Sequence, residues 1–414
     1  MPQDVRQEQA MICVSVATGT KCLPHEKLGR AKGNVLHDWH AEILALRGLS
    51  RWLVDECMEL AREGRDGRSE WVRWTNASVK ATSEEDRRKR SGIAHEQGSP
   101  LQHSYRHNEI ADNQAETPQT TPTTSPIQPF SLLPNTKIHL YISSAPCGDA
   151  SMELTMRSQT DSTPWEAPPP SDTLPGRGNF DLLGVVRRKP ARADAPMVWS
   201  KSCSDKIALR QCTGIVSGVV AHGEGGLVPP LYLDSLILPH AEIVPEAIER
   251  CFGFGPQGRM HVLQNRTWEA GYSVHPLRVE ATSRIFEFDK PSSATDTAEK
   301  GGLGSSNLSL LATPTRQETL INGVLQGRKQ SDIRGASCVS RRRLWEDVRA
   351  VRRSISTSSP DSVNEGRNSP LCEQTYEGMK TSLPFTARET VRREVWALAL
   401  KGWRRNEGDE EWTL

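Results

Sequence analysis

The chain has 414 residues, 36% of them hydrophobic, and its 52 lysines and arginines almost cancel 51 acidic residues to leave a formal net charge of +1. That length fits one large domain or two ordinary ones, with part of it outside any core. The charge balance excludes a chain that holds nucleic acid by uniform positive charge, so such a site depends on local clustering.

Nine cysteines follow no disulfide-like rhythm, the N-terminus is polar, and no apolar run reaches membrane-spanning length. The expectation is an intracellular protein of the cytoplasm or nucleus, not secreted. In a reducing compartment, well-placed Cys and His serve as metal ligands or reactive groups more often than as bridges.

The first β-prone run covers residues 11–17 and ends in the turn Thr18-Gly19-Thr20-Lys21-Cys22-Leu23-Pro24. Such a turn suits the edge of a site, although an ordinary turn explains it equally simply. Next comes His37-Asp38-Trp39-His40-Ala41-Glu42. Asp38 reads as the N-cap of a helix over 39–60, where Ile43, Leu46, Leu49, Leu53 and Leu60 recur on one face. His40 and Glu42 then fall in the first helical turn, where both can face a pocket beyond the helix end.

Residues 64–134 change character, with the charge run Ser83-Glu84-Glu85-Asp86-Arg87-Arg88-Lys89-Arg90 and a Thr/Pro-rich tract. Too little apolar surface is present to offset the entropy of ordering them. The run reads as solvated charge rather than as an import signal or RNA contact. Segments 64–134, 158–179, 290–310 and 353–370 are therefore expected to be disordered insertions in a single domain spanning 1–414.

Between them, residues 137–143 alternate as a strand and lead into Ser144-Ala145-Pro146-Cys147-Gly148-Asp149, a strand-to-helix turn. A basic segment covers 187–192, and Ser202 or Ser204 would cap a helix after Cys203. Residues 231–238 read as a strand, 245–252 as a helix opening on Pro, and 285–288 as a weaker strand. Helical segments rich in Arg and Trp follow near 341–345 and 388–403.

Hydrolytic deamination of an aromatic amine needs water made nucleophilic near neutral pH and a carboxyl group to move protons. Zinc with three protein ligands and one open position meets the first need, and a neighbouring carboxylate the second. His-x-Glu with a distant Pro-Cys-x-x-Cys is the general signature of zinc nucleobase deaminases. Here His40-Ala41-Glu42 and Pro146-Cys147 match it, but Ala150 stands where the second cysteine is usual, so Cys203 becomes the candidate third ligand. Both cysteines fall at apparent helix starts, where the dipole favours a thiolate. Cys13, Cys22, Cys57, Cys212, Cys251, Cys338 and Cys372 are assigned to core or surface.

Together with Thr18-Gly19-Thr20-Lys21-Cys22 and Ser202-Cys203-Ser204-Asp205-Lys206, these motifs resemble the adenosine-deaminase domain. It is shared by deaminases of double-stranded RNA and tRNA deaminases that modify the base 3′ of the anticodon. Residues 33–42 and 189–196 look most like the fungal tRNA branch. The resemblance implies an α/β, cytidine-deaminase-like three-layer sandwich, a mixed central sheet flanked by helices. It implies zinc on His40, Cys147 and Cys203, Glu42 as proton shuttle, and Thr20 and Lys21 beside the target nucleotide. It further implies buried inositol hexakisphosphate held by Arg47, Lys206, Arg341, Tyr376, Lys380 and Trp403, with Asp38 and Lys189 in a relay towards Cys203. The implied substrate is the anticodon arm of tRNA-Ala, with no membrane or protein partner. Leu46 and Leu209 replace arginines of the duplex-RNA relatives. The segment matching Met11 begins where relatives have a preceding helix and strand, so a truncated start or an incomplete sheet edge is expected. The competing readings are a duplex-RNA deaminase and an inactive zinc-containing RNA-binding module.

Overall fold

The computed structural model describes residues 11–75, 128–158, 163–164, 174–176, 178–189, 196–221, 226–289, 306–357, 375–382 and 385–414. The first half carries β1 (Val16–Thr18), α1 (Ala41–Glu63), β2 (Val72–Trp74), β3 (Phe130–Leu132), β4 (His139–Tyr141), α2 (Met152–Arg157) and α3 (Cys203–Thr213). Then follow β5 (Ser235–Pro239), α4 (Pro245–Phe252), β6 (Arg278–Thr282), β7 (Leu308–Thr313), β8 (Arg316–Ile321), β9 (Val324–Leu325), α5 (Arg341–Thr357), α6 (Tyr376–Thr381) and α7 (Thr386–Leu398).

The architecture is the α/β one expected, with sheets flanked by helices, and the two kinds of pairing fall in separate sheets. β4, β5 and β6 pair in parallel, whereas β1, β7, β8 and β9 form an antiparallel sheet and β2 pairs with β3. Parallel neighbours need helical crossovers, and α2 with α3, then α4, supply them. β5 is buried along nearly its whole length, as the central strand of a covered parallel sheet must be. β7 instead alternates exposed and buried residues. α1 packs on β1 and β7 and also against α5, so it buries Leu44, Trp52, Val54 and Cys57 besides its predicted stripe. Leu46 and Leu209 are both buried.

Several boundaries differ from those read in the sequence. Residues 71–75 and 128–133 are ordered because Val72 and Phe130 are buried on paired strands, which trims the insertion expected over 64–134. Leu174 and Asn179 are buried, and Arg187 donates to the carbonyls of Gly176 and Asn179, so the insertion expected over 158–179 ends in packed chain. β7 takes the end of 290–310, and α5 runs four residues beyond 353, where Ile355 packs against the core. The middle parts of these insertions, Pro190-Ala191-Arg192-Ala193-Asp194-Ala195 and Cys372 lie outside the described residues. Residues 285–288 form no strand: Ile285 and Phe288 are exposed, with no partner strand beside them among the described residues. Of the basic segment, Arg187 and Lys189 turn inward rather than towards solvent.

Candidate active site

The chain from Gly19 to Leu23 lies antiparallel to the chain from His37 to Ala41. The N–H groups of Leu23, Trp39 and Ala41 donate to His37, Lys21 and Gly19 carbonyls at 2.9–3.1 Å. This pairing brings Thr20 and Lys21 into the wall of a groove that also contains His40, Glu42 and Cys147. The turn that sequence could also explain as ordinary is thus part of the site wall.

α1 begins one residue past His40, which occupies the N-cap position, with Glu42 in the first turn. Asp38 is not the N-cap. Its Oδ1 accepts from the His40 N–H at 3.0 Å, which turns the chain into the helix, and its Oδ2 faces inward.

The Pro146-Cys147 turn leaves β4 and is stapled to the start of α3. Ser204 donates through Oγ to the Pro146 and Cys147 carbonyls, while the backbone N–H groups of Cys203 and Ser204 reach Cys147 Sγ and its carbonyl at 3.3 and 3.0 Å. Ser202 caps α3, accepting from the Asp205 N–H at 3.1 Å. Gly148 has φ +109°, and a Cβ there would lie 2.2 Å from Ser202 Oγ. Ala150 is fully buried and its N–H meets Ser204 Oγ, so that position supports the turn instead of supplying a ligand.

His40, Cys147 and Cys203 offer ligand atoms that all lie within 4.8 Å of one another, a group able to hold a metal ion. Cys147 is held well below the usual thiol range, first by its hydrogen bond with Cys203, whereas burial and that neighbour push Cys203 well above it. A metal takes both sulfurs as thiolates, so its binding would release protons from the pair. Burial, reinforced by the Cys147 charge, raises the Glu42 carboxyl. Cys22, assigned earlier to core or surface, lines the same groove. Burial, then Asp38, pushes its thiol up to about 12, so it remains protonated.

Behind the thiols, Lys189 Nζ donates to Asp38 Oδ2 at 2.8 Å and to Cys203 Sγ at 3.2 Å. Lys206 donates to the same Asp38 oxygen and to Ser200 Oγ. Burial alone would raise Asp38, but the two ammonium groups hold it well below its ordinary value. Lys189 keeps its proton more firmly than usual despite its burial, because Asp38 and the thiols outweigh desolvation. Burial and the Lys189 charge push Lys206 the other way.

The remaining implied cofactor residues converge on a second, basic cluster. Arg341 and Lys380 lie 5.8 and 5.6 Å from the Tyr376 ring centre, and Lys201 lies 5.4 Å from that of Trp403, which stacks on Trp396. Burial first, then neighbouring cations, lowers Arg47 to about 10, Lys380 to about 8 and Lys201 to about 7. Arg210 and Arg392 are lowered to about 10 for the same reason. Lys201, Arg210 and Arg392 were missed in the sequence, where three cations on two helices and a loop carry no common pattern. The Arg210 Nη1 atom is buried without a hydrogen-bond partner.

An α/β scaffold that sets an imidazole and one thiol at helix starts and a second thiol in the turn after β4, beside a half-buried carboxyl, defines a mononuclear metal-site protein of the deaminase type. The model of the adenosine-deaminase (editase) domain matches residues 15–85 and 104–407. The chain belongs to that family. It is 30% identical over 410 residues to the tRNA-specific adenosine deaminase 1 of Schizosaccharomyces pombe, covering 98% of this chain and 85% of that protein. The Saccharomyces cerevisiae protein of the same name is 28% identical over 55% of this chain and 46% of its own length. The double-stranded RNA-specific editase Adar of Drosophila melanogaster is 25% identical over 54% of this chain and 26% of its own.

Proposed function

We propose that the protein hydrolyses adenosine to inosine in tRNA, releasing ammonia, with His40, Cys147 and Cys203 as zinc ligands and Glu42 as proton carrier. The observation that carries this reading is the convergence of three ligand atoms from separate parts of the chain, two of them on His40 and Cys147 in the wall of a groove that also contains Glu42. Bound there, zinc would supply a Lewis acid that makes water nucleophilic near neutral pH. Glu42 would pass the attacking water's first proton to the purine ring and its second, given up by the hydroxyl that the addition leaves on the ring, to the departing amine, a task its raised proton affinity suits. Lys189 fixes Cys203 from behind, and Asp38 fixes Lys189. Thr20 and Lys21 contact the target nucleotide from the groove wall.

The near-complete match to a tRNA-specific relative supports tRNA as substrate. The resemblance of residues 33–42 to the fungal tRNA branch points to the adenosine 3′ of the anticodon in tRNA-Ala. Incubation with unmodified tRNA-Ala, read by cDNA sequencing, should show inosine at that base. Conversion confined to duplex RNA would overturn the tRNA assignment, and no conversion of any RNA would overturn the activity.

The basic cluster fits a buried polyanion such as inositol hexakisphosphate. Cations that lower one another's proton affinity, with an orphaned N–H on Arg210 and Arg392 paired with Glu389 alone among the described residues, would be stabilised by an added polyanion. Arg47, Lys206, Arg341, Tyr376, Lys380 and Trp403 would hold it, joined by Lys201, Arg210 and Arg392. Phosphorus analysis of the purified protein should find about six phosphates per chain; a phosphate-free folded protein would remove this cofactor.

A further inference from the structure

β6 ends at Thr282, and residues 284–289 continue beyond the carboxyl end of the parallel strands. There Phe286 and Phe288 expose 42% and 79% of their surface and meet edge to face at 5.6 Å. The chain has seven phenylalanines, and none of the other five is exposed. A single apolar side chain in water is ordinary; two adjacent rings held together there leave a contiguous apolar surface unburied. Their position is fixed. The Asp289 N–H closes a turn on the Phe286 carbonyl at 2.9 Å, and the hydroxyl of Tyr141, on β4, donates to the Arg284 carbonyl at 3.4 Å.

Both rings and Tyr141 line the same groove as Glu42, His40 and Cys147. Lys21, Lys27, Lys137 and Arg188 also line it, against the acidic Glu70, Glu242 and Asp289. Aromatic faces interleaved with cations are the chemistry that binds unpaired nucleotides. The reaction itself creates such nucleotides. An adenosine must leave its stack to approach Glu42 within the groove, and each base beside it then loses a stacking partner.

We infer that Phe286 and Phe288 form a stacking platform for the nucleobases flanking the target adenosine in substrate RNA. This rests on the RNA-deaminase reading above, and the two are separable by experiment. The full-length wild type and the F286A/F288A variant are titrated with an anticodon stem-loop carrying 2-aminopurine on either side of the target. Wild type should change the probe's fluorescence on binding. The double variant should lose that change and bind about tenfold or more weakly, with KM rising more than kcat falls and zinc content unaltered. F288W should keep tight binding, since stacking needs a ring rather than phenylalanine itself.

Equal affinity and fluorescence in wild type and double variant, with wild-type conversion intact, overturns the platform alone. A wild type that neither binds nor converts RNA overturns both readings. A wild type that sediments as a dimer while the variant is monomeric with undiminished RNA affinity assigns the rings to self-association and also overturns the platform.

Discussion

Asp38 is a buried and Glu42 a half-buried carboxyl group close to the thiols, and their surroundings drive their protonation in opposite directions. Asp38 has two ammonium groups on one oxygen and stays ionised, which suits a group that only orients others. Glu42 has burial and a thiolate against its charge, which suits a group that must take up a proton and return it. Such divergence between neighbouring carboxyls separates their roles. Glu42→Gln keeps the shape and removes the proton carrier, so zinc content should hold while kcat falls by about a hundredfold or more. Wild-type turnover in that variant would falsify the mechanism. Cys203→Ala removes one of the three proposed ligands, and zinc per chain, measured by atomic absorption, should drop well below one; unchanged stoichiometry would exclude Cys203 from the site.

At the scale of elements, the site depends on how the turn after β4 meets the start of α3. The left-handed φ of Gly148 and its approach to Ser202 leave no room for a side chain. Gly148→Ala should therefore displace Cys147, cost about 1–3 kcal/mol of stability and weaken zinc affinity together. Thermal unfolding and metal titration indistinguishable from wild type would show that the contact is not needed. These junctions were largely legible in the sequence, because caps and proline act locally: Ser202 caps its helix, and α4 spans Pro245–Phe252 as read. The antiparallel sheet was not. β7 and β8 carry few β-branched residues, and although they pair with each other across Pro314-Thr315, the sheet is completed by β1, which lies far earlier in the chain. One local signal was present in the Asn322-Gly323 pair, whose φ values of 53° and 78° make the tight turn between β8 and β9. The relay and basic cluster were legible only through family resemblance, since a lysine that turns inward and one that stays in water look alike in sequence.

For the whole molecule, the C-terminal residues close the fold over the segment that leads into the site. Trp412 stacks on Tyr376 at 4.7 Å, and Asp409 accepts from the Gly33 N–H at 2.9 Å. Asp409 Oδ2 also lies 2.7 Å from His37 Nε2, and Arg341 Nη2 lies 3.1 Å from His37 Nδ1. An arginine can only donate, so Nδ1 must accept, Nε2 must carry the proton, and His37 is neutral. Burial, with the Arg341 charge, accordingly lowers its pKa to about 4 from an ordinary 6.5, and the contact with Asp409 does not reverse this. The sign of the pH effect follows. Between these two values the unfolded chain binds a proton that the folded chain refuses, so this contribution is intact above pH 6.5 and is lost as pH falls towards 4. Its full size is about 3 kcal/mol at the lower limit. His37→Gln retains a donor and an acceptor but cannot titrate, so its stability, although lower at pH 7, should decline less steeply between pH 6.5 and 4. Chemical denaturation across that range measures both slopes; equal slopes would mean that His37 accepts a proton in the folded protein, and that Arg341 has moved away from it.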